Sequence, residues 1–275
     1  MKSHSIGVFD SGFGGLTVLK EITTRLPEYD YIYLGDNARA PYGCRSFETV
    51  YKYTLQAVNW LFNKGCFLII LACNTASAKA LRTIQQKDLP AIAPNRRVLG
   101  VIRPVTEIIG TLSSSGHIGI LATAGTVKSN SYLLETAKSF PNVTITQQAC
   151  PLLVPLIENN EFDNEGAAFF INKYLSELLQ KDQLIDTIIL GCTHYPLIIN
   201  GIKAVLPSHI KVISQGTIVA ESLDDYLRRH PEIENQLGKN HKRSFFTTDT
   251  SEMFNDLAEL FYGENIFSEH AEMEM

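Results

Sequence analysis

Leu68–Ser77 reads LIILACNTAS and Ile188–Pro196 reads IILGCTHYP. Each is an apolar burst that ends in a small residue, followed by a cysteine and then by side chains that can hydrogen-bond. Short continuous apolar runs of this kind fit strands buried on both faces of a parallel sheet. A buried strand that stops at a reactive side chain is where open α/β sheets place their ligands. Cys73 and Cys192 lie 119 residues apart, which suggests two half-sites facing each other across a cleft.

Working outward, Ile6–Asp10 (IGVFD) reads as a first strand and Ser11–Gly15 as a glycine-rich turn. Leu16–Leu26 has helical spacing and Pro27 closes it. Tyr31–Asp36 is a second strand, and Asn37–Arg45 is a loop by its Pro, Gly and Asn content. The helix Phe47–Lys64 has Gly65 as its C-terminal cap, Phe67–Ala72 is the third strand, and Asn74–Lys87 is the helix after Cys73. This alternation predicts a parallel sheet covered on both faces.

The rhythm restarts near Leu99–Ile102. It runs through a helix at Val105–Leu112, a strand at His117–Ala122, a turn at Thr123–Thr126 and a helix at Lys128–Ser139. A strand at Val143–Thr146, a short piece at Leu152–Glu158, a helix at Glu165–Lys181 and a strand at Thr187–Leu190 follow. The tail supplies strands at Lys211–Ile213 and Ser244–Thr247 and helices at Val219–Arg229 and Glu252–Phe261. The closing EHAEMEM is expected to fray.

IGVFDSG is echoed by IGILATAGT 112 residues later, and LIILACNT by IILGCTHY. Two copies indicate a duplicated βα unit rather than a solenoid. The tail strands find no partner in the second half of the pattern, so the C-terminus is expected to return to the first. The expected fold class is therefore α/β, with two similar domains, each a mainly parallel sheet flanked by helices, and the active site in the cleft between them. The expected division is residues 1–98 plus 207–275 against residues 99–206.

The chain has 275 residues, 45% apolar and 19% charged, with a net charge of −5 and a pI near 5.8. That length allows one large domain or two modest ones. The acidic balance argues against nucleic acid or an anionic membrane as partner; the basic stretch Lys239–Arg243 reads as a solvated loop. MKSHSIGVFD leads straight into a strand, no secretory h-region is seen, and no apolar run reaches membrane-spanning length, so a cytoplasmic protein is expected. Five cysteines without a C-x-x-C pair remove the commonest zinc and redox spacings and read as free thiols in a reducing compartment. Cys66 and Cys150 read as small buried apolar residues, and Cys44 lies in a loop.

Cys73 and Cys192 each sit at the carboxyl end of a strand, Cys73 immediately before a helix whose N-terminus is expected to lower the thiol pKa. A small buried residue at a tight turn is the competing reading for each; the repeated setting favours chemistry. His194, two residues past Cys192, can hold or share its proton. Asp10 ends the first strand at the same sheet edge as Cys73, placed to handle a proton or meet a substrate ammonium, or to cap the next helix. Ser11, Asn74, Thr75, Thr123, Thr126 and Thr193 gather hydroxyl and amide groups at the strand ends, a collection that suits a carboxylate. Gly12-Phe13-Gly14 with Asp36 imitates a dinucleotide fingerprint, but Thr17 stands where its third glycine belongs and Asp10 would face the pyrophosphate.

DSGFGGLTVLKE, YLGDNARAPYG, ACNTAS and GCTHYPL, in that order, resemble the glutamate racemases of the aspartate/glutamate racemase family, from about Ile6 to past Leu206. The resemblance implies cofactor-independent interconversion of L- and D-glutamate, the D-isomer serving peptidoglycan synthesis. It implies Cys73 as the base toward D-glutamate and Cys192 as the base toward L-glutamate, with Asp10 and His194 assisting the nearer thiol and Glu158 as an auxiliary acid. Implied substrate contacts are Asp10, Ser11, Tyr42, Gly43, Asn74, Thr75, Thr123, Thr126, Thr193 and His194, with Asp36 supporting its loop. No metal ligand and no cofactor are implied; glutamate is the implied partner, and a homodimer is the expected assembly. Arg103-Pro104-Val105 departs from the small Pro-Gly pair many members carry there. The alternatives are an aspartate or other amino-acid racemase on the same scaffold, or a binding protein for a nucleotide or small acid.

Overall fold

The structure, a computed structural model, describes residues 4–273. Among them ten strands form two sheets in which every pairing is parallel. The first half lays down β1 (Ser5–Asp10), α1 (Gly15–Arg25), β2 (Tyr31–Gly35), α2 (Phe47–Asn63), β3 (Cys66–Leu71), α3 (Asn74–Lys79) and β4 (Arg97–Gly100). The second half begins with α4 (Ile102–Thr106) and β5 (His117–Ala122), then α5 (Ala124–Ser129), α6 (Ser131–Ser139) and β6 (Thr144–Ala149). It continues with α7 (Leu153–Glu158), α8 (Glu165–Lys181), β7 (Thr187–Gly191), α9 (Ile199–Val205) and β8 (Lys211–Ile213). The chain ends with α10 (Gly216–Arg229), β9 (Arg243–Thr247), α11 (Ser251–Tyr262) and β10 (Ser268–His270).

The strand orders are β10-β9-β2-β1-β3-β4 and β6-β5-β7-β8. Four strands of the first sheet thus repeat the order of the second, β2-β1-β3-β4 against β6-β5-β7-β8, as a duplicated unit requires. β1 and β5 are the central pair, and β3 and β7, which deliver the two cysteines, lie directly beside them.

The helices form for ordinary reasons. Ser46 caps α2 by accepting the Thr49 N–H at 3.1 Å, and Val50, Thr54, Ala57, Val58 and Leu61 bury one face at helical spacing. Gly65, at φ +95°, ends it in the left-handed conformation a β-carbon disfavours. One apolar cluster runs from Ile6, Val8, Leu16 and Leu19 to Leu178, Ile188 and Leu190, so the halves share a core. No helix among the described residues is long and apolar enough to cross a membrane.

Four local expectations are corrected. The helix after Cys73 holds α geometry only to Lys79; short helical turns follow, including a π turn over Ile84–Asp88 before Pro90, whose missing N–H breaks the ladder. The helix expected over Val105–Leu112 is two pieces, α4 and a turn at Ile109–Leu112; Arg103 on α4 is exposed and pairs with Glu107 at 2.7 Å. The closing EHAEMEM does not fray at its start: β10 pairs with β9 through main-chain groups, which the polar side chains do not report. Glu274 and Met275 lie outside the described residues. Lys211–Ile213 does not return with the tail but pairs with β7, because it is the counterpart of β4 in the duplicated order; β9 and β10 do return to the first sheet.

Candidate active site

Parallel pairing brings the carboxyl ends of β1 and β3 to one edge of the first sheet and those of β5 and β7 to one edge of the second. Asp10, Ser11, Cys73, Asn74 and Thr75 come from the first edge; Thr123, Thr126, Cys192, Thr193 and His194 come from the second. Hydrogen bonds join the two sets. The Thr193 hydroxyl donates to Asp10 Oδ2 at 3.3 Å, and the Thr17 hydroxyl donates to the Thr193 carbonyl at 2.9 Å. Thr75 Oγ1 lies 2.8 Å from Thr123 Oγ1 and 3.3 Å from Thr126 Oγ1, a knot of three hydroxyls spanning both halves.

Cys73 and Cys192 are each 6% exposed, so both thiols are nearly sealed from water. Cys73 Sγ lies 3.4 Å from Ser11 Oγ. Burial first, and then the charge of Asp10, push the Cys73 thiol up to about 12; the Ser11 hydroxyl and Ala76 amide pull it back only in part, and the charge of Cys192 adds to the rise. The expected lowering by a helix N-terminus is therefore reversed. A six-residue helix has a small aligned dipole, and desolvation of a thiolate outweighs it.

The second thiol has a different neighbour. Cys192 Sγ lies 3.9 Å from His194 Nδ1, and His194 Nε2 lies 2.9 Å from Glu158 Oε1. Burial works to lower the His194 pKa, but hydrogen bonds to Cys192 and Glu158, with their charges, overcome it and raise the imidazole to about 10. His194 thus lies between a sulfur and a carboxylate, both of which favour its protonated form. Asp10, fully buried, is raised by that burial to about 6, against the opposing pull of His194 and of the Gly12 and Gly15 amides.

The loop after β2 is held by Asp36. Its carboxylate, fully buried, accepts from Arg39 Nε at 2.8 Å and 2.9 Å, from the Thr248 hydroxyl at 2.9 Å and from the Tyr42 hydroxyl. The Tyr42 ring packs on Phe9 and Tyr53, so its polar end is committed to Asp36. Gly43 reaches the second half through its carbonyl, which accepts the Gly125 N–H at 2.8 Å. Cys66 and Cys150 are buried as expected, Cys44 is exposed, and burial pushes the Cys66 thiol up to about 12.

Several neighbours escaped the sequence reading. Gly14 lies so close to the second half that a β-carbon there would overlap Thr193 Oγ1 and the His194 ring. Phe261 of α11 presents its ring to His194, centroids 5.3 Å apart. Tyr132, from α6, reaches Asn74. Only the glycine-rich turn carried a signal, since close backbone approach is one reason for glycine; the aromatic residues read as ordinary core. A cavity of about 690 Å³ opens behind α3, lined by Ser77, Arg103 and Tyr226 among others, and touches neither candidate thiol.

A fold of two like parallel halves, joined over paired thiols, defines a class. The family described as Asp/Glu/Hydantoin racemase matches residues 6–223, and the chain belongs to it. Among individual proteins, it is 41% identical over 261 residues to the glutamate racemase of Sulfurihydrogenibium sp. (strain YO3AOP1), covering 94% of each chain. The crystal structure of glutamate racemase isoform RacE1 from Bacillus anthracis superposes with a TM-score of 0.89 at 34% identity, over 99% of this chain and 98% of that one. The glutamate racemase of Francisella tularensis, crystallised with D-glutamate, gives 0.86 at 33% identity, over 100% and 98%.

Proposed function

We propose that this protein interconverts L- and D-glutamate without a cofactor, by proton transfer at the α-carbon between Cys73 and Cys192, and so supplies D-glutamate for peptidoglycan synthesis. The observation that carries the reading is the pair of buried thiols at corresponding strand ends of the two halves, close enough for charge on Cys192 to bear on Cys73. Similarity to glutamate racemases along nearly the whole chain supports the substrate.

In the proposed mechanism, Cys192 as thiolate takes the α-proton of L-glutamate; the C–H bond breaks, an S–H bond forms, and the electron pair stays on carbon and its carboxylate. The Cys73 thiol then gives its proton to the opposite face, leaving D-glutamate and a Cys73 thiolate. The reverse direction exchanges the roles. His194, held by Glu158, steadies charge on Cys192; the Ser11 hydroxyl does the corresponding work beside Cys73, while the Asp10 carboxylate favours the protonated thiol there. Asp10 also meets the substrate ammonium, and the Asn74, Thr75, Thr123, Thr126 and Thr193 side chains, with the Tyr42-Gly43 backbone, take the carboxylates. Aimed donors in a site closed to water stabilise the carbanion, the hardest part of this chemistry. Two lobes, one to each sheet, close on the substrate; the assembly proposed is a homodimer in the cytoplasm, checked by analytical ultracentrifugation and cell fractionation.

The test is turnover of a panel of amino acids in deuterated water, scored by polarimetry and by α-deuterium incorporation. Glutamate should racemise and exchange, and Cys73→Ala and Cys192→Ala should each abolish racemisation with the fold intact. Normal turnover by either variant removes the two-thiol mechanism, and preference for aspartate moves the substrate.

A further inference from the structure

Asn74 sits beside Cys73 at the start of α3, 3% exposed, and its two amide atoms are treated differently. Its Oδ1 accepts the Tyr132 hydroxyl at 2.8 Å. Its Nδ2 is buried and has no hydrogen-bond partner among the described residues. The Tyr132 oxygen in turn accepts from Gln215 Nε2. Tyr132 is fully buried and Gln215 is 4% exposed, so water does not compete for these bonds.

The three residues come from three places: Asn74 from the first half, Tyr132 from α6 in the second, and Gln215 from the connection between β8 and α10. A phenol has a single proton. Burial pushes the Tyr132 pKa upward, so that proton stays on. With the phenol oxygen accepting from Gln215, the proton is directed to Asn74 Oδ1. That choice leaves both Asn74 Nδ2 protons free to donate. A buried amide with its donor end unmatched is costly unless something takes it, and the proposed substrate carries two carboxylates.

We propose that Tyr132 and Gln215 are positioning residues that set the polarity of the Asn74 amide, aiming Nδ2–H at a substrate carboxylate. This rests on the glutamate reading of the same site. Gln215 fixes the Tyr132 proton, Tyr132 fixes Asn74 Oδ1, and Asn74 donates to the anion. Because the relay crosses both halves, the amide is fully oriented only when they are packed as they are here.

The test is a double-mutant cycle in kcat/KM for D- and L-glutamate, with Tyr132→Phe, Asn74→Ala and the pair. Losing the aim of a hydrogen bond to a charged group should lower kcat/KM roughly 10-fold in Tyr132→Phe. In the Asn74→Ala background the same change should cost less than about twofold, since the residue it acts through is gone. Gln215→Glu, which accepts rather than donates and so draws the phenol proton away, should match Tyr132→Phe. An equal loss in both backgrounds, or none in the wild type, overturns the relay. A second readout is independent of turnover: the ¹⁵N side-chain amide pair of Asn74 should shift in both Tyr132→Phe and Gln215→Glu, and an unmoved pair overturns the relay even if wild-type protein leaves glutamate untouched. Absence of wild-type glutamate exchange with a shifted amide overturns the glutamate reading alone.

Discussion

Replacing Asp10 by Asn should make this protein more stable and less active at the same time. Asp10 is fully buried, and burial raises its carboxyl from the ordinary 3.8 to about 6 despite the opposing charge of His194. A carboxyl whose folded pKa exceeds its unfolded one binds its proton more tightly when folded. That contribution is complete below 3.8 and is lost as pH rises through about 6, so at pH 8 the ionised group costs about 3 kcal/mol relative to the neutral one. Asn is neutral and nearly isosteric. Its Oδ1 can keep the Gly12 N–H bond now made at 3.0 Å, while its Nδ2 meets the Gly15 amide as donor against donor and the Thr193 hydroxyl, now donating to Oδ2 at 3.3 Å, must turn to accept, a loss of about 1 kcal/mol. Roughly 2 kcal/mol remains, a rise in Tm of about 4–8 °C for a chain of this size. Thermal unfolding followed by circular dichroism from pH 5 to pH 8.5 measures it: the advantage should be largest at pH 8 and fade toward pH 5, while racemase activity falls roughly 10²-fold. A variant that melts lower than wild type at pH 8, or whose advantage is the same at pH 5, refutes the claim that buried charge on Asp10 is held at the expense of stability.

Other consequences are equally direct. His194→Asn should lower kcat/KM by roughly 10²-fold; since racemisation has an equilibrium constant of one, the loss is equal in both directions, and the asymmetry appears as a larger isotope effect from α-deuterated L-glutamate than from the D-isomer. Burial and the charge of Asp10 push the Cys73 thiol up to about 12, which keeps it protonated and poorly nucleophilic at pH 9. Iodoacetamide followed by peptide mass spectrometry should therefore label the exposed Cys44 long before Cys73, and labelling of Cys73 at pH 7 as fast as Cys44 would contradict the burial argument. Gly14→Ala should cost about 1–3 kcal/mol and most of the activity: the backbone there, at φ −55°, suits any residue, so the damage comes from overlap with Thr193 and His194 and should be read by Tm and kcat together.

Strand ends were legible because parallel strands buried on both faces must be apolar, and the residue that follows each is placed by the sheet itself. That logic located Asp10, Cys73, Thr123 and Cys192 from the sequence. It failed at β8, three residues long, where a local pattern says nothing about which sheet will accept the edge; the repeated strand order carries that information instead. It failed again at β10, whose main-chain bonds need no apolar side chain. The pKa of Cys73 was misread because a sequence displays the helix that follows a thiol but not its desolvation. Tyr132 and Phe261 were invisible for a related reason: a buried aromatic in a helix looks the same whether it fills space or meets a site residue.

A duplicated βα unit gives a natural solution to a reaction whose two directions are mirror images, since it delivers one thiol to each side of a shared cleft. The surroundings of those thiols are not mirror images. Cys73 has an aspartate and a serine beside it, and Cys192 has His194 backed by Glu158. Burial and the charge of Asp10 raise the Cys73 thiol, whereas Cys192 and Glu158 both favour the protonated form of His194. His194 is hydrogen-bonded at both nitrogens, which fixes its ring beside Cys192. The duplication is thus kept in the strands and the thiols, and departed from in the side chains that face them.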